Sequence, residues 1–144
     1  LSRKTPGSDR HKFADMVAVF DYWLYLEKRK QSIAEFLRER GYFKIGIYGM
    51  GYIGNRLYDF LSDSDIETIF VIDRQAGKFI CSVPAFCLED TQIEGYMKQA
   101  DAIIVTAEAA FESIKEEIEK RYVIPVLSFK DILVEMMEAT EKNV

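Results

Sequence analysis

The stretch Lys44–Asp73, KIGIYGMGYIGNRLYDFLSDSDIETIFVID, decides the fold. It opens with a short β-rich run, Lys44–Tyr48. It then passes through GMGYIG, Gly49 to Gly54, into a segment where Ile53, Leu57, Phe60 and Leu61 recur at helical spacing. SDSD at 62–65 reads as a turn. TIFVI, Thr68–Ile72, is a continuous apolar run of the kind buried on both faces in a parallel strand. Asp73 closes it, 19 residues after Gly54. Glycines alone would say little, because turns are full of them. A G-x-G-x-x-G that follows a strand, opens a helix and has an acid about 20 residues further on is the arrangement that cradles a dinucleotide.

Each part has a physical task. Gly49 is expected to permit the tight strand-to-helix turn, Gly51 to let a diphosphate approach the backbone, and Gly54 to let the helix pack closely. The first-turn N–H groups at Tyr52 and Ile53 have no partner within the helix and suit an anion. The expected cradle is therefore Gly49, Met50, Gly51, Tyr52, Ile53 and Gly54, with the Asp73 carboxylate accepting from ribose hydroxyls. Asp73 favours an unphosphorylated ribose, whereas the adjacent Arg74 would attract a 2′-phosphate. The balance points to NAD or a nucleotide-sugar over NADP. Loops for S-adenosylmethionine read more like GxGxG after an acidic strand end. Here Ile53 stands where their third glycine would fall and Tyr48 where the acid would be. No GK[ST] follows, which excludes a P-loop.

Working outward, the alternation continues on both sides. Residues 1–9 read as a polar leader, and Arg10–Lys30 as a helix with Phe13, Met16, Val17, Phe20, Trp23 and Leu24 as its apolar stripe. Ser32 with Glu35 forms a capping box for a second helix that Gly41 ends. After Asp73, Phe79–Val83 is a weak strand before Pro84, and residues 89–99 are a short helix. AIIVT, Ala102–Thr106, is a strong strand and Ala107–Arg121 a helix. Val123–Leu127 is a strand that Pro125 confines to a sheet edge. Ser128 caps a last helix bearing Ile132, Leu133, Met136 and Met137.

Strands alternating with helices imply an α/β domain, a doubly wound parallel sheet of about five strands in the order 3-2-1-4-5. Residues 1–41 form a helical arm and 42–144 the α/β unit. Ligands in such sheets sit over the carboxyl ends of the strands at the switch point, so Thr106 and Ala107 join the candidate site. Thr106 would either bond a ligand or merely cap the next helix.

The chain has 144 residues, 49% of them hydrophobic and 30% charged, which describes one ordinary globular domain. The formal net charge of −5 disfavours a nucleic-acid binder. Residues 1–72 carry net +1 and residues 73–144 net −6, so the C-terminal half would also repel polyanions. No apolar run approaches the roughly 18 residues that would span a bilayer, and no secretory leader is evident. The two cysteines, Cys81 and Cys87, read as free thiols in a reducing compartment, which implies a cytoplasmic protein. With His11 as the only histidine, no metal site is expected.

The stretches FKIGIYGMGYIGNRLYDFL, IETIFVIDR, SVPAF, DAIIVTAEAAFESIKEEIEK and IPVLSFKDIL resemble a group of small Rossmann-like nucleotide-binding domains. These occur in bacterial gene clusters for capsule and other surface polysaccharides, alone or fused to sugar-transfer and sugar-modifying enzymes. The resemblance spans roughly residues 32–137. It implies binding of a dinucleotide or nucleotide-sugar, with Gly49, Gly51, Gly54 and Asp73 matching the motif, and it brings no catalytic residue.

A dehydrogenase needs a proton donor or acceptor beside the substrate carbonyl and a wall to enclose it. His11 lies in the helical arm. No Tyr-x-x-x-Lys pair follows AIIVT, and Tyr122 has no lysine four residues on. The reading is therefore a nucleotide-binding accessory domain without catalysis of its own. An NAD-dependent oxidoreductase completed by a partner chain or a missing domain, and a ligand-free interaction scaffold, stand as alternatives. The stripe Phe13–Leu24 is expected either to pair two protomers or to pack on its own sheet.

Overall fold

The computed structural model describes residues 6–78 and 82–142, with side chains from Phe13 onward except at Lys78. In chain order the elements are α1 (Pro6–Lys28), α2 (Ile33–Glu39), β1 (Lys44–Tyr48), α3 (Tyr52–Ser62), β2 (Glu67–Ile72), β3 (Ala85–Phe86), α4 (Ile93–Gln99), β4 (Ala102–Val105), α5 (Phe111–Glu119), β5 (Val126–Ser128) and α6 (Phe129–Lys142). Short 3-10 turns lie at Ala76–Lys78 and Glu108–Ala110. The five strands form one parallel sheet in the order β3-β2-β1-β4-β5, as the alternation predicts.

The central strand explains the two-sided core. Ile45 and Ile47 of β1 are fully buried against α1, α2, α3 and α6, while Tyr48 faces the opposite layer with Ile72, Val105 and Ile114. Gly46 has no side chain because β2 and β4 leave no room for one. A Cβ there would lie 2.7 Å from the Phe70 ring and 2.8 Å from Ile103 Cδ1.

Several boundaries differ from the sequence expectation. Helix α1 is already formed at Pro6, which suits proline's fixed φ at a helix start. Residues 1–5 of the expected leader lie outside the described residues. Of the expected strand Phe79–Val83, residues 79–81 also lie outside them, Cys81 included. The strand that pairs with β2 is Ala85–Phe86, beyond Pro84. Its companion at the other edge starts at Val126, because Pro125 has no N–H to give and contributes only its carbonyl, which accepts from Ile103 at 2.9 Å.

The stripe on α1 divides in two. Val19, Trp23 and Leu26 are buried, with Trp23 packed 5.0 Å from the Phe129 ring and 4.9 Å from Phe60, centroid to centroid. Phe13, Val17 and Leu24 are 64%, 49% and 69% exposed. The helix is thus apolar over a wider arc than the packed face uses, and it leans along α6 rather than standing free.

Helix ends follow local chemistry. Ser32 accepts the Glu35 N–H at 3.3 Å, and Ser128 accepts that of Asp131 at 3.1 Å. Gly41, at φ +78°, closes α2 with the Tyr42 N–H donating to Leu37 O at 2.9 Å. The same motif ends α1, where the Gln31 N–H donates to Leu26 O at 3.0 Å, but Lys30 occupies the left-handed position at φ +56°. A lysine pays a steric cost there that glycine avoids. Lys30→Gly should raise stability by about 0.5–1 kcal/mol, read as a higher Tm, and a lower Tm would contradict the motif.

Arg38 on α2 grips Asp65 with two bonds, 2.8 and 2.7 Å, and this hydrogen bonding holds the exposed carboxyl below its ordinary value of 3.8. The contribution is full above 3.8 and is lost as pH falls from there through the lower native value. The Tm gap between wild type and Asp65→Asn should therefore narrow on acidification, and a gap independent of pH would refute the assignment.

Candidate functional site

The loop over the carboxyl end of β1 is built by three tethers. The Gly49 N–H extends the sheet ladder to Ile72 O at 2.8 Å, and the residue turns away at φ +100°, a conformation that favours glycine. Asp73, placed by its own N–H donating to Phe86 O at 2.9 Å, accepts the Met50 N–H through Oδ2 at 2.8 Å and the Gln75 N–H through Oδ1 at 2.9 Å. The Thr106 hydroxyl donates to Gly49 O at 2.7 Å from the far side. Asn55 completes the set, its Nδ2 donating to Met50 O at 2.7 Å and Gly51 O at 2.9 Å. The loop carbonyls are thereby occupied. The N–H groups of Gly51, Tyr52 and Ile53 have no acceptor among the described residues.

The three glycines turn out to do different work. A Cβ on Gly54 would fall 1.9 Å from Gly49 O, so the first turn of α3 is pressed directly onto the loop that precedes it. A Cβ on Gly49 would meet Thr106 Oγ1 at 2.7 Å. A Cβ on Gly51 would meet nothing within 4 Å, and its φ of −75° suits any residue. Nothing in the protein's own packing asks for glycine at 51.

The room over Gly51 belongs to a cavity of about 480 Å³ between the glycine loop, the ends of β2 and β4, and α1, within the size range of ligand sites. Every sequence-nominated residue except Met50 lines it: Gly49, Gly51, Tyr52, Ile53, Gly54, Asp73, Arg74, Thr106 and Ala107. The Met50 side chain is 2% exposed and packs in the core, so this residue serves the loop through its backbone alone. Thr106 neither caps the following helix nor stands free. Its hydroxyl proton is committed to the loop, which leaves only lone pairs for any further bond. Asp73 keeps about two of its four lone-pair sites, since each oxygen accepts one backbone bond.

Three contributions were hidden from sequence reasoning. Asp15, Met16 and Val19 of α1 form one wall, although the sequence places no site residue on that helix. Glu108 lies at the end of β4, its Oε1 accepting from the Ser128 hydroxyl and, at 3.1 Å, from the Lys130 N–H at the start of α6. Tyr48 had counted only as a residue out of place for another cofactor. It is 8% exposed, lines the cavity, and its hydroxyl has no partner among the described residues. Burial, reinforced by the charges of Glu117, Glu89 and Asp73 against that of Arg74, pushes the phenol above its ordinary 10.0. Tyr48 is accordingly a neutral donor at physiological pH. Among the described residues no cluster of His, Cys, Asp and Glu could hold a metal ion. Cys87 is a free thiol, half-buried, whose Sγ lies 3.7 Å from Arg74 O.

Fold and crevice together define a doubly wound α/β domain of Rossmann-like topology, with a glycine loop at its switch point. No family model matches the chain, and no curated protein or solved structure matches it either.

The glycines separate cleanly in a stability measurement. Gly54→Ala should cost about 2–3 kcal/mol, because a carbonyl rather than a flexible side chain stands in the way. Gly51→Ala should stay within about 0.5 kcal/mol of wild type. Equal losses at the two positions in chemical denaturation would refute the packing described.

Proposed function

We propose that this domain binds a nucleotide through its diphosphate, the class being NAD-like or nucleotide-sugar, and that it serves as an accessory binding domain in bacterial surface-carbohydrate biosynthesis. The observation that carries the reading is the empty space over Gly51. The residue is glycine where the fold does not require one, and the space left open adjoins the unpaired N–H groups of Gly51, Tyr52 and Ile53 at the start of α3. Backbone donors at the positive end of an 11-residue helix suit a diphosphate.

The remaining lining fits the rest of such a ligand. Asp73 has acceptor capacity for ribose hydroxyls beside the loop. Met16, Val19, Ala107 and Ile114 supply apolar wall. The link to surface carbohydrates rests on the sequence resemblance. Binding without turnover is favoured because the carboxylates are already engaged: Asp73 and Glu108 hold backbone N–H groups, and Asp15 pairs with Lys130 at 3.5 Å. A general base needs a freer carboxylate than these. Among the described residues no helix is long and apolar enough to cross a membrane.

Calorimetric titration of the chain against NAD, NADH, NADP and UDP-sugars tests the proposal. At least one should bind, and Gly51→Val should raise its Kd by more than about tenfold with only a small fall in Tm, because two methyl groups would stand where the diphosphate lies. Silence across the panel, or full affinity in Gly51→Val, would overturn it.

A further inference from the structure

We infer that the crevice takes a single nucleoside diphosphate whose distal phosphate carries a hydroxyl-rich group such as a sugar, and not a dinucleotide. The inference rests on the nucleotide reading above and narrows it.

The floor for a second nucleoside is roofed over. In a doubly wound sheet a dinucleotide runs across the switch point, one half over each set of strands. On the β2 side the ends of the strands are open at Asp73 and Arg74. On the other side, β5 ends at Ser128, which is 3% exposed and bonded to Glu108. Helix α1 lies across that region. Asp15 pairs with Lys130, and Trp23 packs edge-on against Phe129. No residue of β5 or α6 lines the cavity. The ligand can therefore extend past the glycine loop only as far as α1, into space bordered by Asp15, Met16 and Glu108.

Charge selects the substituent. The lining carries three carboxylates, Asp15, Asp73 and Glu108, against the guanidinium of Arg74 and the Lys130 ammonium that reaches Asp15 from α6 at 3.5 Å, which leaves it net negative. A free nucleoside diphosphate ends in a phosphate that gains further charge near neutral pH, and this end would face Asp15 and Glu108. Esterifying that phosphate removes the extra charge, and hydroxyl groups beyond it would donate to the two carboxylates. Tyr48 adds a second sign of a ligand: the residue is 8% exposed and lines the same cavity, and its hydroxyl, which keeps accessible surface, has no partner among the described residues and can donate to a ligand.

The test is calorimetric titration of the full chain with UDP-glucose, ADP-glucose, UDP, ADP and NAD. At least one sugar nucleotide should bind about tenfold tighter than NAD and tighter than its own free diphosphate. Asp15→Asn should weaken the sugar nucleotide by about fivefold while strengthening the free diphosphate, because it removes a charge that repels the terminal phosphate. NAD binding as tightly as the sugar nucleotides, or Asp15→Asn weakening both forms alike, would overturn the inference while the nucleotide reading stands. Failure of all five ligands to bind would overturn both.

Discussion

The Asp73 carboxylate is the constraint on which the crevice depends. One oxygen takes the Met50 N–H from the glycine loop and the other the Gln75 N–H from its own turn. A carboxylate accepting backbone N–H groups makes charge-assisted bonds, stronger than neutral ones. Asp73 thereby clamps the loop after β1 to the end of β2, while Thr106 clamps it to the end of β4. Two strands on either side hold a loop that has few side chains of its own to hold it. The N–H groups of Gly51, Tyr52 and Ile53, without an acceptor among the described residues, belong to residues that line the cavity.

This arrangement gives Asp73 two roles on one side chain. The sequence pattern assigns it to a ribose; the structure ties it to the protein. The roles are compatible, because two backbone bonds leave acceptor capacity on both oxygens. A carboxylate already fixed in place loses no rotamer freedom when a hydroxyl arrives, which favours binding over a free side chain.

Helix α1 converts an open switch point into a bounded cavity. Its packing is ordinary hydrophobic burial, Val19, Trp23 and Leu26 against α6 and the sheet. The same helix brings Met16 and Asp15 to the rim, so the residues that shape the ligand space are positioned by core contacts one turn away. Phe13, Val17 and Leu24 remain exposed on its outer side.

Much of the fold was legible because the signals are local. The apolar runs at Thr68–Ile72 and Ala102–Thr106 marked strands buried on both faces, and Ser32, Gly41 and Ser128 marked helix ends through hydrogen bonds that span a few residues. The strand order followed from reading the alternation of strands and helices as a doubly wound sheet. The limits were local too: a two-residue strand such as β3 has too little pattern to register, and Pro125 moved β5 by removing a donor that only the neighbouring strand reveals as needed. Gly49, Gly51, Gly54 and Asp73 could be named as one site because their spacing along the chain reflects a single β-α-β turn.

Sequence alone determined the sheet, its order and the glycine loop, since period, capping and glycine spacing are encoded within segments shorter than a helix. Tertiary structure decided the rest. Only packing shows that Gly54 is crowded and Gly51 is not, that Thr106 anchors the loop, and that a helix some 30 residues upstream walls the cavity. Such facts depend on which atoms meet across the fold, and distance along the chain carries no record of that.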